Sequence, residues 1–171
     1  MSALLACPEM NRSGANNLDR SAASVADLAR YWGVVVLWMG VISLLSSDPF
    51  SASNTNTYID PVLRFLFPEL SPAGFVLAHS IIRKTAHVLE FFVLGALSYW
   101  ASRRGRAPRW RFVWALQALA VSAGFALIDE AHQQFVASRT GSLFDSGIDV
   151  AGAAAALVVV YIRSRGVIGE R

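Results

Sequence analysis

The residues able to do chemistry in this chain recur at helical spacing inside apolar sequence. Arg83-Lys84-x-x-His87-x-x-Glu90 puts positions 83, 87, 90 and 94 on one helical face, which reads Arg, His, Glu, Leu. In Asp129-Glu130-x-His132-Gln133-Gln134, Asp129 and Gln133 lie one turn apart, as do Glu130 and Gln134. Arg139 follows, and then Asp145 and Asp149, again one turn apart. Gly152 and Ala156 continue that last face as a stripe of small residues, which lets a neighbouring helix approach closely.

Three kinds of chemistry fit this set. Arg83, Lys84, His87 and Arg139 can hold an anionic or zwitterionic head group, with Glu90, Asp129, Glu130, Gln133, Asp145 and Asp149 orienting them. Acids paired beside bases can have their pKa values driven apart, which suits Glu130 or Asp129 as general base and His87 as acid or base on a membrane-bound substrate. The third reading is purely structural: a near-neutral network of ion pairs that ties helix ends together. Removing one partner of a buried pair costs about 3–5 kcal/mol, so stability alone can maintain such a network. No metal is expected, because His87 and His132 belong to no H-E-x-x-H or comparable ligand pair. No cofactor is expected either: there is no G-x-S-x-G and no phosphate-binding glycine loop, and neither Ser138 nor Ser142 has a base at a supporting spacing.

The elements that position these residues follow from hydropathy. The chain has 171 residues, 54% hydrophobic and only 16% charged, against roughly 25% charged in an ordinary soluble domain. Mean hydropathy is +0.44, and these values point to the bilayer as solvent. The formal charge of +3 does not indicate nucleic acid, because the basic residues cluster beside apolar segments instead of covering one face. Cys7 is the only cysteine, which leaves no intramolecular disulfide and no cysteine-based zinc site. Leu4-Leu5-Ala6-Cys7 faintly resembles a lipoprotein processing site, but no basic region and no apolar run precede it, so no signal peptide is expected.

The expected architecture is all-α, an integral membrane bundle of four transmembrane helices at about 31–47, 78–101, 110–130 and 145–162. Residues 1–27, rich in Ser, Asn, Ala and Asp, read as a mobile tail, and residues 28–165 as the transmembrane domain. Within the loop at 48–77, Ile59–Phe67 reads as a short amphipathic helix lying on the interface, a cover for the bundle or a lid over a site. Arg12, Arg20 and Arg30, the loop carrying Arg103, Arg104, Arg106, Arg109 and Arg111, and Arg163, Arg165 and Arg171 place both termini and the arginine loop in the cytoplasm. Trp32, Trp100, Trp110 and Trp114 fall near helix ends on that same side, as interfacial anchors do, with Trp38 deeper. The ionisable set then converges on the opposite, extracytoplasmic face. A charged column facing lipid would cost several kcal/mol, so it must face the bundle or a wet cavity.

With these residues in view, the chain resembles the VanZ-like family of small bacterial membrane proteins. The resemblance is carried by Arg83-Lys84-Thr85-Ala86-His87 with Glu90-Phe91, by Asp129-Glu130-Ala131-His132-Gln133-Gln134-Phe135, and by Arg139-Thr140-Gly141-Ser142 through Asp145 and Asp149 to Gly152, and it spans roughly residues 31–162. Three positions depart from the family's pattern: Ala137-Ser138 stands where Pro-Gly is frequent, Phe91 where Tyr is common after the glutamate, and Asp149 where Asn is frequent. The resemblance implies a multi-pass protein of the bacterial cytoplasmic (inner) membrane. It further implies a cell-envelope role toward membrane lipids and a lipid-linked or cell-wall ligand, since the family takes its name from an association with resistance to the glycopeptide teicoplanin. A transporter would need an oligomer, because four helices without an internal repeat make too small a pathway.

Overall fold

The computed structural model describes residues 12–47, 52–104, 110–134 and 143–169. Five helices follow one another: α1 (Arg12–Leu45), α2 (Ala52–Leu66), α3 (Pro72–Arg103), α4 (Phe112–Gln133) and α5 (Leu143–Gly169). No β-strand occurs among the described residues, so the all-α expectation holds. Three helices are long and apolar enough to cross a membrane, over Ala26–Leu45, Phe112–Gln133 and Phe144–Arg165. The fourth expected span lies within α3. That helix has 32 residues, about 48 Å at 1.5 Å per residue, but Arg83, Lys84, His87 and Glu90 dilute its apolar character.

Helix limits differ from the sequence expectation in an informative way. α1 begins at Arg12, inside the stretch of residues 1–27 read as a mobile tail. α3 begins at Pro72 instead of near Ala78. Its start is set by Ser71, whose Oγ accepts from the Gly74 amide at 3.2 Å, and by proline at the first helical position, where no amide hydrogen is needed. The expected amphipathic helix at Ile59–Phe67 exists as the longer α2, tied to α3 by a 2.6 Å contact between Asp60 Oδ1 and His79 Nε2. Arg64 lies over the Phe75 ring, 4.8 Å from its centroid. Lys84 meets Asp145 in the first turn of α5. The part of α3 before Arg83 therefore runs on past the start of α5, and α2 packs against that overhang.

α3 is the central element, in contact with all four other helices. Tyr31 packs edge-on to Trp100, Trp38 Nε1 donates to the Glu90 carbonyl at 3.0 Å, and Phe91 faces Phe125. α3 and α5 run parallel, and α1 and α4 run the other way. Small residues fill much of the bundle interior beside a few large ones such as Phe91, Ile42 and Leu94, and many large apolar side chains face outward. Gly95, Ser98, Ser122, Ala118, Ala126, Gly152, Ala153 and Ala156 are buried, while Leu37 (70%) on α1, Phe112 (72%) on α4 and Ile162 (62%) on α5 are exposed. A soluble monomer rarely leaves so much apolar surface uncovered, whereas a bilayer covers it.

The tightest contact joins α3 and α5. A β-carbon on Gly152 would lie 2.5 Å from the Val88 carbonyl oxygen, and one on Gly95 would lie 2.8 Å from the Ala153 carbonyl oxygen. Both obstacles are backbone atoms, so neither can move aside by rotation. Gly152→Ala is therefore expected to push the helices apart and cost about 1–3 kcal/mol, the usual range for overpacking. Gly147→Ala, where nothing lies within 4 Å of the added carbon, should melt as wild type. Thermal unfolding of both variants in one detergent checks the pair; equal melting would show that the helices are not in contact at Gly152.

Candidate functional site

Three helices bring most of the ionisable set to one cleft. It is lined by Arg83, Lys84 and His87 from α3, Glu130 and Gln133 from α4, and Asp145, Ile148 and Asp149 from α5. The 3.6-residue repeat of α3 turns positions 83, 84 and 87 toward α5, and the Gly152–Val88 contact just beyond them sets how closely the two helices approach there. Lys84 Nζ lies 3.2 Å from Asp145 Oδ1, and His87 Nδ1 lies 3.5 Å from Asp149 Oδ1. These two pairs form successive rungs across the α3–α5 seam. The second is well shielded, with His87 and Asp149 side chains only 14% and 4% exposed. Lys84 also lies over the Phe144 ring, 5.2 Å from its centroid. Arg83 is exposed at the mouth and has no carboxylate partner among the described residues.

The cleft is narrow. Its free volume is about 10 Å³, close to the minimum that holds one water by that measure. The interior can accommodate a water bridging the two ion pairs, but a head group must engage the mouth unless the helices part.

Two expected members of the site do not line the cleft, although both carboxylates lie close enough to His87 to interact with it electrostatically. Asp129 is buried (1% exposed) but turns toward α1. Its Oδ2 accepts from Ser46 Oγ at 3.0 Å and from Gln133 Nε2 at 2.7 Å, and its buried Oδ1 has no partner among the described residues. Glu90 does not line the cleft; its backbone carbonyl receives the Trp38 indole. Arg139 lies outside the described residues, as do Ser138 and Ser142. His132 is exposed at the end of α4, and His79 is engaged with Asp60. Among the described residues no three His, Cys, Asp or Glu side chains are placed to hold a metal ion. No residue of α2 lines the cleft.

Sequence reasoning missed Ser46. The helix-stop run Ser46-Ser47-Asp48-Pro49 carried no sign that its first hydroxyl reaches an acid 83 positions away. Only the three-and-four spacing of Asp129 and Gln133 was available to mark one side of that network. The geometry makes Asp129 a tie between α4 and the end of α1. Asp129→Leu leaves the Ser46 hydroxyl and the Gln133 amide buried without their shared acceptor, and should cost about 2–4 kcal/mol. Asp129→Asn keeps an acceptor oxygen and removes a buried charge, and should melt within about 1 kcal/mol of wild type. Melting curves of the two variants in detergent test this ordering, which a catalytic role for the carboxylate would not produce.

Comparison with known proteins adds one match. No curated protein and no solved structure matches the chain at a significant level. The family model described as VanZ/LLP1 matches residues 31–164, a stretch that holds α1 from Tyr31 onward, all of α2 to α4 and every cleft residue. With its apolar helices, its small-residue interior and its polar cleft on this matched stretch, the chain belongs to the VanZ/LLP1 family.

Proposed function

We propose that this chain is a four-span protein of the bacterial cytoplasmic membrane that acts in the cell envelope by binding an anionic or zwitterionic group at the mouth of the α3–α4–α5 cleft. Four spans require α3 to cross as well. Its position at the centre of the bundle, surrounded by the three apolar helices, supports that, because a helix shielded by others can carry ionisable residues through a bilayer. Both termini are assigned to the cytoplasm. Arg30, Arg103, Arg104, Arg111, Arg163 and Arg165 gather at one end of the bundle together with Tyr31, Tyr99, Trp100, Trp110 and Tyr161, which is the pattern of a cytoplasmic interface. The cleft then opens on the extracytoplasmic side.

The observation that carries the binding reading is Arg83, an exposed guanidinium at the edge of a cleft whose other cation, Lys84, is already paired with Asp145. A planar five-donor group is suited to a phosphate or carboxylate arriving from outside. The ligand class is a lipid-linked or cell-wall component, and a teicoplanin-type resistance phenotype would follow where that component is the antibiotic's target. In an enzymatic version of this role Glu130, which lines the cleft beside His87, would act as the general base.

A second reading is favoured by the two closed ion pairs and the one-water interior: the cluster is a polar joint that fixes α5 against α3. One experiment separates the two. Purified wild type, Arg83→Gln and Asp149→Leu are melted with and without a total bacterial envelope lipid extract. The binding reading expects wild type to gain several degrees from the extract by mass action, with Arg83→Gln folding normally but losing that gain. An unchanged gain in Arg83→Gln sinks it. Asp149→Leu leaves His87 without its partner and should melt lower than wild type without extract, the signature of the joint.

A further inference from the structure

At the other end of the bundle, far from the cleft, lies a concavity that has the dimensions of a ligand site. A groove of about 450 Å³ runs between α4 and α5, walled by Phe112, Leu116, Leu119, Leu157 and Val158. This volume falls within the roughly 300–1,000 Å³ typical of small-molecule sites, whereas the cleft has room for about one water. Its lining is almost wholly apolar, and the short side chains of Ala115 and Ala154 leave it unfilled.

The arginine-bearing end of the groove is closed by Trp110 and Tyr161, whose rings meet edge to face with centroids 5.1 Å apart. Trp110 is held from behind by stacking on Tyr99 at 5.3 Å. Arg165 lies over the Tyr161 ring, 4.6 Å from its centroid, and Arg111 lies over Trp114 at 5.2 Å. Both arginines are exposed. The apolar channel therefore ends at an aromatic gate with the Arg165 guanidinium over its Tyr161 ring, and Arg111 follows Trp110 directly in the chain. An apolar chain joined to an anionic head group matches this arrangement: the chain lies in the groove, the glycerol region meets the aromatic rings, and the phosphate reaches the arginines.

We propose that the α4–α5 groove is a binding site for one acyl chain of an anionic phospholipid, whose phosphate is held by Arg111 and Arg165. A second copy of the chain is a poorer fit, because two like-charged arginine pairs would face each other at the rim of a symmetric contact. The occupant differs from the ligand of the cleft and binds independently of Arg83.

The test is lipid retention by the detergent-purified full chain, read by native mass spectrometry after incubation with phosphatidylglycerol or phosphatidylcholine. Wild type should retain one phosphatidylglycerol in preference to phosphatidylcholine. Arg111→Gln and Arg165→Gln should each reduce that preference roughly fivefold, the factor expected for one basic residue at a membrane surface. Ala154→Phe should expel both lipids by filling the groove. Val158→Trp, at an exposed position on the groove wall, repeats that test should Ala154→Phe fail to fold. Equal retention of the two lipids by wild type overturns the proposal, as does unchanged phosphatidylglycerol retention in both arginine variants. A wild-type dimer that becomes monomeric when the groove is filled would also overturn it, assigning the groove to a second copy.

Discussion

The backbone-to-backbone approach of α3 and α5 is the constraint from which the rest of the bundle follows. Val88 against Gly152 and Ala153 against Gly95 leave no room for a side chain. In water, apolar side chains would pull two helices together whatever their detailed shape. In a bilayer the lipid is as apolar as leucine, and association depends on close packing and on polar contacts made between helices. Glycine and alanine at the seam supply the first. Lys84–Asp145 and His87–Asp149, just outside the Gly152 contact, supply the second. Neither stands without the other: separating the helices would lengthen both ion pairs and strand charges in a poor solvent.

This also accounts for where charge is tolerated. An ionised side chain at the centre of a lone helix is costed at about 2.5–3.5 kcal/mol on insertion scales. Asp129 and Glu130 lie near the end of α4 and Asp145 and Asp149 near the start of α5, so these two helices are entered or left at the level of the cluster. α3 carries Arg83, Lys84, His87 and Glu90 within its length, and it is the helix that the others surround. Asp129 and Asp149 are both nearly sealed from solvent, but they are satisfied differently. Asp149 faces an imidazole across the seam, whereas Asp129 is hydrogen-bonded only by a hydroxyl and an amide among the described residues.

Much of this is legible in the residues because the relevant signals are local. Asp129 and Gln133 at four-residue spacing form the hydrogen bond their spacing allows, and Gly152, read as a packing position, is the tightest contact in the structure. Arg83 and His87 share the cleft as their common face requires, and Leu94 on that face is fully buried. Glu90 shows where such reasoning stops. Helical spacing fixes a face to within about a third of a turn, which does not decide whether a residue lines a cleft or lies beside it. α3 starts before the point that hydropathy marks, because hydropathy locates where apolar sequence is sustained, whereas a helix starts where its first amides are capped. Ser71-Pro72 was the signal that would have corrected α3. The Ser46–Asp129 bond and the α4–α5 groove had no local signature, since one joins distant elements and the other is a volume left between two packed helices.

The two concavities divide the molecule's chemistry by size and charge. The cleft is polar, crosslinked by ion pairs and about the volume of a water, so any change in what it holds must be accompanied by movement of α5 against α3. The groove is apolar, preformed and unobstructed, so it can be filled with no movement at all. Because α5 forms a wall of both, a displacement of α5 against α3 would change the shape of the groove as well as that of the cleft. Coupling of this kind requires each ligand to bind the two positions of α5 with different affinity. The Gly152–Val88 contact is where such a difference would be set, since it is the point about which α5 must pivot or slide.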